Sequence, residues 1–585
     1  MAAAKPSSKP GDALDMEPGR KPGWNSLPQM MLELAVARQT KPMLRHWHGG
    51  GWRSVTWGEF AHRVAAVAAG LRAAGIGPGD RVLLVSENRP EFLIADTGLM
   101  AIGAVTVPTY TTNTPADHAH ILRDSGARVA IVSTSALAAQ VRQAAALAGG
   151  LDLLVTMEPV PADGARVIPW TELEATPADL GLLRAEAEQI PPGRLACLIY
   201  TSGTGGAPKG VMLPHRAMLS NREGVATIAH KLRLEGETYL SFLPLSHSYE
   251  HTVGGFLLPS MGVEVVYSRG ADRIAAEFQE IRPAVVTAVP RLFEVLRARI
   301  LAGVEKEGGL KEKLFHRALA LGLRRMDGPP LGLLERVQDA VLDRLVRQKV
   351  RQRFGGRLQA MVSGGARLDP DLSGFFLALG LPVIQGYGQT EAGPVVSVNM
   401  PWDNQRDTVG PPLPGVEIRL AEDGELCVRG DLVMDGYWNQ PEATAKAIQD
   451  GWLRTGDIAE LSGGRIRITD RKRDFIKTLG GDMVSPAKIE SLLMAEAEIH
   501  QAVAAGEGQP GIVALLVPAD GMEDKVQAAV ARVNAKLATI ERIRKTATVA
   551  PFTVENGQLT PTMKIKRRVV LEAHAAEVAG LYGRG

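Results

Sequence analysis

The chain has 585 residues, is 45% hydrophobic and 22% charged, and carries a formal net charge of +2 at pH 7. That length exceeds a single hydrophobic core, so two or more domains are expected. The near-neutral balance points to no particular macromolecular partner and to no nucleic acid.

In chain order, Met1 to about Trp24 is rich in Ala, Pro, Gly, Ser and Lys and lacks the continuous apolar centre of a signal peptide. Residues 1–24 read as a disordered leader. No window has the uninterrupted apolar length of a membrane span, and a cytoplasmic location is expected. Phe60 to Ala74 reads as a helix; Val82–Val85, Val129–Val132 and Leu153–Val155 read as strands. Alternation of this kind predicts α/β layers built on largely parallel sheets. Ligand loops in such sheets lie beyond the strand C-termini.

The apolar run Leu195-Ala196-Cys197-Leu198-Ile199-Tyr200 predicts a buried strand, and Thr201-Ser202-Gly203-Thr204-Gly205-Gly206-Ala207-Pro208-Lys209-Gly210 follows it. Glycines allow close backbone approach, successive N–H groups can form an anion-binding nest, hydroxyls add donors and Lys209 adds a charge. This is polyphosphate chemistry. A Walker A loop needs Ser or Thr directly after Gly-Lys to hold magnesium, and Pro208-Lys209-Gly210 lacks it. That argues against an ADP-forming ATPase or kinase.

Downstream come Ser241-Phe242-Leu243-Pro244-Leu245-Ser246-His247 and Val362-Ser363-Gly364-Gly365-Ala366. Phe375 to Gly380 and then Leu381-Pro382-Val383-Ile384 lead into Gly386-Tyr387-Gly388-Gln389-Thr390-Glu391. Arg344 to Arg357 is a basic helical pattern, read as a solvated face, with contact to a membrane surface or to CoA phosphates left open. Gly410 to Gly430 predicts short strands and turns in a small β subdomain. The last motifs are Thr455-Gly456-Asp457, Asp470 to Lys477, Gly480 to Pro486, and Leu559-Thr560-Pro561-Thr562-Met563-Lys564. Cys197 and Cys427 sit in apolar strand-like runs, as buried reduced thiols would, which argues against a disulfide framework or zinc site.

Taken in this order, the motifs resemble those of the acyl-adenylate-forming enzymes over nearly the whole chain, from about Trp57 to Arg568. The first loop matches the family phosphate loop except that Gly205 replaces the usual second Thr. The resemblance implies an α/β fold with a large N-terminal adenylation domain (25–470) of layered α/β subdomains plus a small β subdomain. A small mobile C-terminal α/β domain (471–585) follows.

By the same resemblance, Thr201, Ser202, Gly203, Thr204, Gly206 and Lys209 hold phosphate, and Gly364, Gly365, Ala366, Gly386, Tyr387, Gly388 and Thr390 surround the nucleotide. Glu391 and Thr204 take Mg2+, a hard cation that accepts carboxylate and phosphate oxygens together. Asp457 accepts both ribose hydroxyls, and Arg471 contacts the nucleotide. Arg473 is the hinge, Gly480 and Gly481 line the thioester site, and His247 and Tyr249 gate or line the acyl tunnel. Lys564 stabilises charge on the phosphoryl oxygens during attack, with Glu391 and Thr204 as its catalytic partners.

Several segments resemble the long-chain acyl-CoA synthetases, which implies ATP, Mg2+ and CoA, with a fatty acid as substrate. The stretch Leu240 to Gly255 contains no Asp to hold a substrate amine, and Glu250 is its one acid, with its direction open. The run Asp457 to Asp470 is too short for the insertion of acyl-AMP ligases. A medium-chain or aryl-CoA ligase is the competitor, and a non-catalytic adenylate-fold binding protein is the alternative of another class. A homodimer and a peripheral contact at the inner membrane face stay open.

Overall fold

The computed structural model describes residues 23–161, 165–201, 207–471, 476–480, 483–560 and 563–583, with the backbone alone of Arg471 and Met483. Two eight-stranded sheets organise the N-terminal part. In the first, Arg81–Val85 lies between Val105–Thr109 and Val129–Val132, all parallel, with Leu153–Thr156 and Arg166–Pro169 extending one edge. Arg81–Val85, Val129–Val132 and Leu153–Thr156 are Val/Leu/Ile-rich runs buried on both faces, as parallel strands between helices must be, and the edge strand Arg166–Pro169 is largely exposed. The helix Trp57–Ala73 starts at a capping box in which Thr56 and Glu59 satisfy each other's backbone N–H.

The other edge of this sheet is antiparallel. Leu195–Thr201 pairs with Lys209–Pro214, Thr201 opposite Lys209, and Gly436–Tyr437 adds to the outside. The second sheet runs Val395–Val398, Val383–Gly388, Ala360–Ser363, Val285–Ala288, Thr238–Ser241, Glu264–Tyr267, Pro42–His48 and Gly51–Thr56. A smaller β layer combines Glu417–Leu420, Glu425–Arg429, Ile448–Gln449, Trp452–Ser462 and Arg465–Arg471. Towards the C-terminus, Ile499–Ala505, Ile512–Pro518 and Ile543–Thr548 form a separate sheet with its own core around Ile489, Leu493, Leu516 and Val533. Both cysteines are buried and free. Among the described residues no helix is long and apolar enough to cross a membrane.

Residues 1–22 of the expected leader lie outside the described residues. Trp24, its last residue, is packed: its Nε1 donates to Glu33 at 2.7 Å, and the Arg222 guanidinium lies 5.0 Å from its ring centroid. One residue of the basic pattern is not solvated. Arg347 is fully buried and donates to the carbonyls of Ala318 and Ala378, both at 2.7 Å, and to Asp339 Oδ1 at 2.6 Å. A guanidinium has five donors, and here they tie the helices Gly309–Asp327 and Pro370–Ala378 to Asp339.

Burial holds two core histidines neutral. It pushes His215 down to about 3, with Arg194 adding to the effect, and His118 down to about 4. The unfolded chain takes up these protons near pH 6.5, so stability present above that pH is lost as it falls towards the folded values. Each residue contributes a slope of about 1.4 kcal/mol per pH unit in that window. The urea midpoint should therefore fall between pH 7 and pH 5, and less so in His118→Gln; equal midpoints at both pH values would contradict this account.

Candidate active site

A cleft of about 2970 Å³ runs between the two large sheets, the β layer and the C-terminal part. Its lining gathers Thr201, Lys209, His247, Tyr249, Gly364, Gly365, Ala366, Gly386, Tyr387, Gly388, Thr390, Glu391, Asp457 and Lys564. These residues span most of the sequence, and the parallel strands deliver many of them at their C-terminal ends. Ser202, Gly203, Thr204 and Gly206, the hinge candidate Arg473, and Gly481 lie outside the described residues. Gly480 stands in an exposed turn away from the cleft lining. The backbone of Arg471 pairs opposite Asp457.

Two tyrosines knit the cleft together. The Tyr387 hydroxyl donates to Asp457 Oδ2 at 2.5 Å, joining the end of Val383–Gly388 to the long strand of the β layer. The Tyr437 hydroxyl donates to Glu391 Oε1 at 2.8 Å, and the Lys209 ammonium sits 4.8 Å from the Tyr437 ring centroid. A cation over a π face is held without a hydrogen bond, which leaves its donors for a ligand. Sequence reasoning missed Tyr437. Glu425 was missed too: its carboxylate accepts from Arg454 at 2.6 Å and from the Gly456 N–H at 2.8 Å, bracing the turn that presents Asp457. Thr455 adds to the brace through its hydroxyl, which donates to the Leu426 carbonyl at 2.7 Å.

The segment from His247 lines the cleft as well. His247 Nδ1 accepts from the Tyr249 N–H at 3.2 Å, which places the proton of the neutral ring on Nε2. The atoms packed around the ring, with the Lys564 charge, push its pKa down to about 4. The Lys564 field thus reaches this wall from the C-terminal part. Lys564 sits in a turn closed by Thr560 N–H to Lys564 O at 2.7 Å and Lys564 N–H to Thr560 Oγ1 at 3.0 Å. Thr390 and Ser248 share a hydroxyl contact at 2.8 Å. The Tyr249 hydroxyl donates to the Val362 carbonyl at 3.2 Å, and a Cβ on Gly364 would come within 2.9 Å of the Tyr249 ring. Glu250 is absent from the cleft lining. It is buried and accepts from Tyr239 and Ser241 at 2.6 Å and from Thr287 at 3.1 Å, and burial raises it to about 7.

The residues fit Mg2+ arriving with phosphate. Glu391 offers one carboxylate, on the same Tyr437 that Lys209 rests on, and no group of three or more His, Cys, Asp or Glu suited to a metal occurs among the described residues. Magnesium commonly takes one or two protein carboxylates and completes its shell with water and phosphate oxygens.

Comparison with known proteins gives this cleft a context. The AMP-binding enzyme family matches residues 33–438, and the AMP-binding enzyme C-terminal domain matches residues 473–585. The chain belongs to the AMP-binding enzyme family. The long-chain-fatty-acid–CoA ligase FadD15 of Mycobacterium bovis is 35% identical over 568 residues, covering 92% of this chain and 93% of the relative. The peroxisomal long chain acyl-CoA synthetase 6 of Arabidopsis thaliana is 30% identical over 591 residues, covering 91% and 82%. Among solved structures, the anthranilate CoA ligase AuaEII in complex with anthranoyl-AMP superimposes with a TM-score of 0.74 at 21% identity, covering 97% of this chain and 100% of that one. The layered α/β architecture with a smaller C-terminal part is thus the fold of adenylating enzymes.

Gly388 is the tightest approach in the site. A Cβ there would lie 1.8 Å from the Pro394 carbonyl oxygen, across the bulge that aims Tyr387 at Asp457. Gly388→Ala should lower thermal stability by more than ~2 kcal/mol and weaken AMP binding, because strand separation moves Tyr387. Gly51→Ala, at an open position, should change neither. Calorimetry and nucleotide titration of both variants check this; a Gly388→Ala protein as stable as Gly51→Ala would contradict it.

Proposed function

We propose that this AMP-binding enzyme is a fatty acid–CoA ligase acting on long acyl chains. One observation carries the reading: the polar cleft around Lys209, Glu391, Asp457 and Lys564 continues into an apolar wall that includes Val225, Ala229, Leu257, Leu258 and Met261. The relatives named as long-chain ligases support it, as does the Glu250 carboxyl, which is engaged with Tyr239, Ser241 and Thr287 away from that wall.

In the first half-reaction a fatty carboxylate oxygen attacks the α-phosphorus of ATP. The bond to pyrophosphate breaks, and acyl-AMP forms. Asp457 accepts the ribose hydroxyls, with Tyr387 donating to its Oδ2, and Gly364, Gly365, Ala366, Gly386 and Gly388 give the nucleotide close backbone approach. Thr201, Ser202, Gly203, Thr204, Gly206, Thr390 and Lys209 receive the phosphates. Lys564 stabilises the charge that grows on the phosphoryl oxygens. Mg2+ on Glu391 and Thr204, bound with ATP, supplies further positive charge there. His247 stays neutral and with Tyr249 lines the acyl entrance. The C-terminal part then turns about Arg473, withdrawing Lys564 and bringing Gly480 and Gly481 to the cleft, with Arg471 staying by the nucleotide. The CoA sulfur attacks the acyl carbon, the bond to AMP oxygen breaks, and AMP leaves. One pocket serves two transition states by exchanging a wall. The reading extends to a peripheral contact at a membrane surface, where long acids partition.

Mass spectrometry of the protein with ATP, Mg2+, CoA and a panel of fatty and aryl acids tests it. AMP with CoA thioesters of the longer acids is expected. ADP, or acyl-adenylate without thioester, would overturn the reading, and thioesters of aryl acids alone would move it to the aryl ligases. Ala229→Phe, which places a ring on the apolar wall, should lower kcat/KM for the longest acids by on the order of tenfold relative to short ones. An unchanged ratio would remove Ala229 from the acyl path.

A further inference from the structure

The helix Leu333–Leu342 continues through one wide turn, Asp343–Arg347, into Gln348–Arg353. Its inner face is satisfied: Leu342 packs with Ala318, Leu321 and Leu331, and Arg347 ties it to the neighbouring helices. Its outer face is apolar. Leu334 is 87% exposed, Val337 65%, Val341 50% and Leu345 48%, and the spacing of three, four and four residues sets them in one stripe. Leu333, 82% exposed, begins it. Large aliphatic side chains are seldom left in water as a contiguous row, and such a row marks an interaction surface.

Charge chooses the partner. Residues 309–353 contain eleven lysines and arginines against five acids, an excess of six, while the whole chain carries +2. The acids of the helix itself are all drawn into ion pairs with arginines: Glu335 with Arg324, Asp339 with Arg347 at 2.6 Å, and Asp343 with Arg351 at 2.9 Å. Arg344 and Lys349 stand exposed beside the stripe. An apolar row rimmed by exposed cations matches an anionic bilayer, whose acyl region takes the aliphatic side chains while its headgroups meet the cations. A second copy of this chain would bring the same positive rim against itself. We propose that the outer face of residues 333–353 is the docking surface for an anionic lipid bilayer, with Leu334, Val337, Val341 and Leu345 inserted at the headgroup level. This deepens the membrane-surface part of the function proposed above and rests on it.

Flotation of the full chain with vesicles tests the surface without any turnover. Phosphatidylcholine vesicles containing phosphatidylglycerol should carry the protein, and phosphatidylcholine alone should carry far less. Leu334→Ser/Val341→Ser and, separately, Arg344→Glu/Lys349→Glu should each reduce the bound fraction on the order of tenfold. Both should leave turnover of a water-soluble short-chain acid as in the parent protein. Absence of flotation by the parent, or equal flotation by all three proteins, would overturn the proposal. So would a dimer in sedimentation that Leu334→Ser/Val341→Ser dissociates while vesicle binding persists. Loss of flotation in both variants, in a protein that forms no thioester with any acid, would uphold the docking surface and refute only the ligase reading.

Discussion

The contact between Tyr387 and Asp457, 2.5 Å long, is the constraint on which the cleft depends. It joins two strands from different sheets. One is the C-terminal end of Val383–Gly388, where a parallel core opens its ligand face; the other is Trp452–Ser462, the long strand of the β layer. Asp457 is buried there and borders the cleft. The Glu425 brace on Arg454 and Gly456 keeps that carboxylate from relaxing towards solvent. Glycine at 388 lets Val383–Gly388 lie against the Pro394–Val395 backbone, which fixes where Tyr387 stands.

A second constraint is electrostatic. A polyanion needs cations, but cations held permanently against one another are costly. The structure divides them. Lys209 rests on the Tyr437 ring within the N-terminal part, and Lys564 comes from the C-terminal part. His247, beside the incoming Lys564 charge, is kept neutral and adds no third positive charge. On the ligase reading proposed above, an ammonium on a separate structural unit can be present for one step and absent for the next, as two dissimilar transition states in one cleft require.

The sequence was most readable where chemistry is local. Apolar runs such as Val82–Val85 and Leu195–Tyr200 identify buried strands because a strand of two buried faces has no other composition. The glycines of Gly364-Gly365 and Gly386-Tyr387-Gly388 mark strand ends that border the cleft. What stayed hidden depends on residues far apart in the chain. Tyr437 meets Glu391 across 46 positions, and nothing in Gly436-Tyr437-Trp438 announces it. Arg347 shares its helical spacing with solvated neighbours, and only the carbonyls of Ala318 and Ala378 distinguish it. Glu250 was visible as an acid, but its direction was decided by Tyr239, Ser241 and Thr287 on neighbouring strands.

The division of charge between two structural units is most directly tested by separating the half-reactions in Lys564→Ala. ATP–pyrophosphate exchange, which requires adenylation, should fall by about 10²–10³-fold, the scale of losing one preorganised charge-stabilising group. Thioester formation from supplied acyl-adenylate and CoA should stay within a few fold of the parent. Equal loss in both assays, or undiminished exchange, would contradict the assignment of Lys564 to the first step alone.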